Sequence, residues 1–282
     1  MVTLPAIAIL GAGSMGGAIL SGLLQPSVTV DGGIRVTNRT ETKAGALRAA
    51  APSHASITSY ATETDPRANL AAVTGARIVL LAVKPTMIPD LLREISGALE
   101  ADALVISVAA GVTTATIESA LPASVPVLRA MPNTPAIVGR AVTGLAAGSR
   151  AGQPDLALAT ALFETVGVVL TVPEGMIDAL SAISGSGPAY VYFLIEQFTR
   201  TAIGLGFSRE QASILVETTF LGASELLASS ERTPAELRRQ VTSPKGTTER
   251  AIAVLDAADL ASVFDRAAAA AIVRAKELAA GA

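Results

Sequence analysis

Ala6-Ile7-Ala8-Ile9-Leu10-Gly11-Ala12-Gly13-Ser14-Met15-Gly16 is the stretch on which the reading of this chain turns. Five apolar residues of strand length run into a G-x-G-x-x-G turn, and residues 15–24 beyond it carry a helical pattern. Alone, three spaced glycines are a weak signal. Between a strand and a helix they predict a dinucleotide cradle. Gly11 permits the tight turn, Gly13 lets backbone approach a pyrophosphate, and Gly16 lets the helix pack closely on the strand. A diphosphate would then rest on the first amides of the helix, where the dipole favours negative charge.

Working outward, residues 34–37, 78–83, 104–108 and 125–128 are further short, β-branched runs. Segments that can be helical, 42–50, 88–99 and 115–121, alternate with them. Strands without a polar face, alternating with helices, imply a parallel sheet covered on both sides. The apolar runs 141–147 and 166–172 extend the sheet in a direction that sequence leaves open. After Pro173 the pattern turns helical, over 189–203, 211–227, 235–240, 248–255 and 260–278. Several of these helices are apolar on more than one face, the mark of helices buried against something, here another subunit. The expected fold is therefore α/β: a Rossmann-type, doubly wound, mostly parallel sheet over residues 1–172, then an all-helical domain over 173–282.

The second strand indicates which dinucleotide is bound. It ends in Asn38-Arg39-Thr40, where a binder of the unphosphorylated cofactor usually carries an acidic residue for the ribose 2′-hydroxyl. An arginine between polar neighbours suits a 2′-phosphate held bidentately. Asp31 lies before the strand and is set aside. NADPH is the expected cofactor, with NADH less preferred. Thr40 also suits the N-cap of the next helix. Ala82, Val83, Lys84 and Pro85 end one strand, and Val108, Ala109 and Ala110 end the next. Their small residues would let a flat nicotinamide lie close to backbone.

Composition narrows the alternatives. The chain has 282 residues, half of them hydrophobic, enough for two cores. With no cysteine, disulfide and thiolate chemistry are excluded, and one histidine, His54, leaves no His-based metal site or triad. His54 and the arginine pair Arg238 and Arg239 read as solvated. A formal net charge of -3 gives no field for nucleic acid. No apolar run is long enough to span a membrane, and the N-terminus reads as a first strand, so a cytoplasmic chain is expected.

Further motifs carry a resemblance. Met131-Pro132-Asn133-Thr134-Pro135, Ser184-Gly185-Ser186-Gly187-Pro188-Ala189-Tyr190 and Val241-Thr242-Ser243-Pro244-Lys245-Gly246-Thr247-Thr248, in that order after the cofactor motifs, resemble pyrroline-5-carboxylate reductase over essentially the whole length. The resemblance implies reduction of 1-pyrroline-5-carboxylate to L-proline. It also implies a helical domain that interlocks into a homodimer, often assembled further into decamers, with an active site between the domains that includes partner residues. It places Asn69 near the adenosine ribose, and Asn133 and Gln240 near the cofactor. Glu174 falls near the substrate.

The Ser243–Thr248 stretch has a physical reading of its own. Pro244 suits a first helical turn and Ser243 its cap. The amides of Gly246, Thr247 and Thr248 would then be free to hold a carboxylate. Plain helix capping is the other reading. In the family these amides hold the substrate carboxylate and the hydroxyl at Thr248 faces the ring nitrogen, so Thr248 is the expected catalytic residue. The family usually has two glycines where this chain has Lys245-Gly246. A lysine there costs about 1–3 kcal/mol if the position needs positive φ. Two competing readings remain. One is a reductase of another cyclic imine or of a β-hydroxyacid, although neither Lys245 nor Lys276 sits in a pattern suited to that second role. The other is a non-catalytic NADP-binding redox sensor.

Overall fold

In the computed structural model, which describes residues 1–279, the chain divides into two compact units. One comprises residues 1–185 with the C-terminal end from Ala271, the other residues 186–270.

The first unit is built on an eight-stranded sheet. Its strands are β2 (Ile7–Leu10), β4 (Ile34–Asn38), β5 (Ile57–Ala61), β6 (Ile78–Leu81), β7 (Leu104–Ser107), β8 (Val127–Met131), β9 (Ala141–Ala147) and β10 (Gly167–Thr171). Their order is β10-β9-β8-β7-β6-β2-β4-β5, all parallel except the antiparallel pair β8–β9. The direction that sequence left open is thereby given: β9 reverses against β8, and β10 runs parallel to β9. A two-stranded ribbon, β1 (Val2–Leu4) with β3 (Val28–Val30), stands beside the sheet.

The pleat explains why the central strands are apolar throughout. Ile7, Ile9, Ile78, Leu80 and Ile106 bury one face against α1 (Ser14–Leu23) and α6 (Gln153–Phe163), with Phe163 fully enclosed. Ala8, Leu10, Val79, Leu81 and Val105 bury the opposite face under α3 (Ala68–Val73), α4 (Ile88–Ile95) and α5 (Thr114–Ser119). Each Val, Leu or Ile among these contributes about 1.5–3 kcal/mol of burial, and the alternation fixes the register. Chain order reverses between β2 and β6, so the carboxyl ends of these two strands form the switch point where open α/β sheets take ligands. The helix α2 (Glu41–Ala50) covers β5 at the far edge.

The second unit holds α8 (Gly187–Gly204), α9 (Arg209–Ala228), α10 (Pro234–Gln240), α11 (Thr247–Ala257) and the first part of α12 (Leu260–Ala279). Its own core is small: Ala202, Ala212 and Val216, flanked by Ile195 and Phe220. Meanwhile Val191, Tyr192, Phe193 and Leu194 are exposed at 45, 60, 59 and 41%. Four consecutive helical positions cover most of a helix's circumference, so the first half of α8 has almost no polar side, while Glu196, Gln197 and Arg200 follow in the second. Among the described residues, no helix is long and apolar enough to cross a membrane.

Candidate active site

The glycine turn between β2 and α1 is held from both sides. The amide of Gly11 donates to the Thr37 carbonyl and hydroxyl, both at 3.2 Å, and the amide of Ala12 to the same carbonyl at 3.0 Å. Gly11 has φ of 97°, and a Cβ there would lie 2.9 Å from the Ala82 carbonyl oxygen. A Cβ on Gly16 would come within 2.3 Å of the Gly11 carbonyl oxygen. Both glycines are thus required by the protein's own packing. Gly13 is different: its φ is -74°, and a Cβ would meet nothing within 4 Å. Nothing in the chain itself requires glycine there. The empty space over Gly13, beside a helix whose first amides have no side-chain cap, fits a bound pyrophosphate.

The other expected cofactor residues lie around the same carboxyl ends, with their polar groups in differing states. Arg39 is exposed at the end of β4. Asn38 is buried and its side-chain amide donates to the Ser59 hydroxyl at 3.1 Å, so it ties β4 to β5. Thr40 caps α2 by accepting from the Lys43 amide. Asn69, on α3, donates to the Glu94 carboxylate at 3.0 Å. Ala82 and Val83 follow β6, and exposed Lys84 leads into the turn at Pro85. Past β7, Val108 donates to the Leu81 carbonyl, Ala109 to the Ser107 hydroxyl, and Ala110 is open to solvent.

Two of the expected ligands, Asn133 and Glu174, already have protein partners. Asn133 is buried; its amide donates to the Ser184 carbonyl and its oxygen accepts from the Val142 amide, both at 2.9 Å. These two bonds tie the side chain to β9 and to the segment before α8, and leave one N–H and one lone pair over. Glu174 accepts from the Thr114 amide at 2.7 Å and the Thr114 hydroxyl at 2.6 Å. It also pairs with Arg129 at 3.7 Å, and Arg129 in turn pairs with Asp178 at 3.1 Å. Both oxygens of Glu174 thus face protein groups. Sequence reasoning missed this network. The signal was Arg129, a lone cation inside the strand Val-Leu-Arg-Ala-Met, which burial obliges to find carboxylates.

In the second unit, α11 begins at Thr247, one residue before the helical stretch 248–255 read from sequence, and one turn past the first turn read at Pro244. Its N-cap is Gly246, not Ser243, and no side chain caps it. The Gly246 amide is not free, as was expected; it donates to the Ser243 carbonyl at 3.0 Å. Pro244 stands in the preceding turn, and a Cβ on Gly246 would lie 2.5 Å from the Ser243 hydroxyl. The open amides are those of Thr247, Thr248 and Glu249, and the Thr248 side chain is half-buried beside them. Lys245 has φ of 62°, and its amide donates to the Glu249 carboxylate at 2.9 Å. Gln240 is exposed at the end of α10, with Arg232, Glu236 and Arg239 around a hollow of about 360 Å³. The Thr233 backbone amide and hydroxyl hold the Glu236 carboxyl below its ordinary value. Among the described residues, no group of three or more acidic or histidine side chains could hold a metal.

Comparison with known proteins finds relatives over nearly the whole chain. Residues 174–278 match a family model described as pyrroline-5-carboxylate reductase dimerisation, and residues 6–111 match one described as NADP oxidoreductase, coenzyme F420-dependent. The pyrroline-5-carboxylate reductase of Corynebacterium melassecola is 38% identical over 275 residues, covering 96% of this chain and 98% of that protein. The same enzyme of Pseudomonas aeruginosa is 38% identical over 279 residues, covering 98 and 97%. The solved structure of a pyrroline-5-carboxylate reductase from Coxiella burnetii superposes with a TM-score of 0.88 at 38% identity, covering 96% of this chain and 97% of that one.

Proposed function

The chain belongs to the pyrroline-5-carboxylate reductase family, and from that premise we propose that it reduces the C=N bond of 1-pyrroline-5-carboxylate to give L-proline. A nicotinamide dinucleotide bound on the first unit supplies the hydride. Gly11, Gly13 and the amides of Ser14, Met15 and Gly16 would hold its pyrophosphate. Arg39 would pair with a 2′-phosphate, which makes NADPH the preferred form. The chain's own task is then to bind, orient and exclude water, and orientation alone is worth about 7–11 kcal/mol of a barrier.

The observation that carries the substrate assignment is the uncapped N-terminus of α11. The amides of Thr247 and Thr248 suit one carboxylate, and the Thr248 hydroxyl lies beside them to meet the ring nitrogen. A threonine hydroxyl is too weak an acid to protonate an imine by itself. Its proposed role is to orient the nitrogen and pass on a proton from water. A sensor that only bound NADP would need no such carboxylate clamp.

The division of labour between residues 1–172 and 173–282 is part of the same reading, supported by the dimerisation match that begins at 174. A cytoplasmic location, and assembly of the dimer into decamers, are likewise proposed; fractionation and light scattering test them. The deciding assay follows NADPH absorbance with 1-pyrroline-5-carboxylate, repeated with NADH and with the six-membered imine. Fast turnover of the five-membered ring that prefers NADPH is expected. Tight NADPH binding without turnover would favour the sensor instead.

A further inference from the structure

The Glu174 network lies in the first unit, where the β7–α5 connection passes from the sheet to the helix. Residues 108–113 form that connection, and the small side chains of Ala109 and Ala110 in it are where the sequence reading would let a nicotinamide lie against backbone. One end of the connection is fixed by the sheet, through the Val108 amide on Leu81 at 3.1 Å and the Ala109 amide on the Ser107 hydroxyl at 3.2 Å. Gly111, with φ of 76°, turns the chain. The other end is fixed by Glu174 alone among charged groups: its two oxygens take the amide and the hydroxyl of Thr114 at 2.7 and 2.6 Å. Glu174 is itself held by Arg129, whose side chain is only 7% exposed and is anchored in β8.

We infer that Glu174 is a positioning residue for the nicotinamide half of the cofactor. The geometry is that of a brace. A carboxylate from the turn after β10 grips the first residue of α5, and a buried arginine one strand from β7 fixes the carboxylate. The brace therefore sets where Ala109 and Ala110 lie without touching the cofactor. Charge-assisted hydrogen bonds at 2.6–2.7 Å are the strong kind, and Arg129 is itself steadied by Asp178 at 3.1 Å. In this role Glu174 acts through α5 and needs no contact with substrate.

The inference rests on the proposed cofactor reading, and the test uses binding, which is separable from turnover. Calorimetry compares NADP+ with 2′-phospho-ADP-ribose, which keeps the adenosine and pyrophosphate but lacks nicotinamide. In Glu174→Gln, affinity for NADP+ should fall about fivefold, the scale of one lost hydrogen bond, while affinity for the fragment stays at the wild-type value. Thr114→Val removes only the hydroxyl bond, leaves the Arg129 pair intact, and should shift the same ratio in the same direction by a smaller factor. Equal loss for both ligands, or no change for either, overturns the inference. So does an effect confined to the KM of the imine, which would return Glu174 to the substrate. If the wild-type chain fails to turn over the imine yet the two ligands separate as described, the brace stands and the substrate assignment falls.

Discussion

Replacing Lys245 by glycine separates backbone strain from charge at the mouth of the carboxylate clamp. Lys245 holds φ of 62°, a region that costs a residue with a Cβ about 1–2 kcal/mol. Glycine removes that cost but gains freedom in the unfolded chain worth about 0.5–1 kcal/mol, so a net stabilisation of about 0.5–1 kcal/mol is expected. The amide bond to Glu249 survives the change, because it belongs to backbone. In a chain of this size each kcal/mol moves Tm by about 2–4 °C, so thermal unfolding at fixed protein concentration should rise by about 1–4 °C. Lys245→Met keeps the Cβ, loses the charge, and should not rise. Both variants remove a cation two residues before the open amides of Thr247 and Thr248. Both should therefore raise the KM for a carboxylate substrate by about two- to fivefold at low salt, the range of an exposed pair. The difference from wild type should vanish near 1 M salt, where the Debye length is about 3 Å. A glycine variant no more stable than the methionine variant would refute the strain argument. A KM effect that persists at high salt would refute the electrostatic one.

Other outcomes follow from the same geometry. Gly13→Ala meets no protein atom and no forbidden φ, so Tm should stay within the equivalent of about 0.5 kcal/mol while NADPH affinity drops at least tenfold; unchanged affinity would remove the pyrophosphate from Gly13. Gly16→Ala should destabilise by about 1–3 kcal/mol, measured by denaturant unfolding, because its Cβ would meet the Gly11 carbonyl oxygen at 2.3 Å. Arg39→Asp should weaken binding of NADPH more than NADH in a direct titration, and equal loss would sink the 2′-phosphate assignment. Thr248→Ala should lower kcat while leaving the Kd for NADPH unchanged; wild-type turnover would reduce Thr248 to a residue of the first helical turn.

Much of the fold was legible because the physics that shapes it is local. Strands such as Ile78–Leu81 are sandwiched, so every position must be apolar and the run stands out. The edge strand β5 was missed for the opposite reason. Ile57-Thr58-Ser59-Tyr60-Ala61 buries a serine, whose hydroxyl accepts from Asn38, and polar residues that satisfy each other look like loop. Helix α6 was missed because it opens with Gly152 and Pro154, which read as punctuation; in fact Asp155 accepts from the Gly152 amide at 2.9 Å and starts the helix. In the site, the glycine turn was legible because its spacing falls between a strand and a helix. The protein partners of Asn133 and Glu174 were not. A polar side chain near a cleft looks the same in sequence whether it awaits a ligand or braces the protein, and only their partners distinguish the two. The register of α11 slipped because Ser243-Pro244 is a good helix start, while Lys245 at positive φ delays it to Thr247.

The small core of the second unit has a consequence for how the protein lives with dilution. With only Ala202, Ala212 and Val216 buried in its core and a dimerisation match over 174–278, that half leaves apolar surface such as Val191, Tyr192 and Phe193 for a second chain to cover. Its folding free energy then contains a concentration, as any equilibrium between two dissociated chains and one assembled pair must. The unfolding midpoint should climb with protein concentration, refolding should show a second-order phase, and very dilute enzyme should lose activity in a manner that added protein restores. A mutation on the outer face of α8 would then act on the whole assembly at once, and its apparent severity would depend on how much of the protein a cell makes.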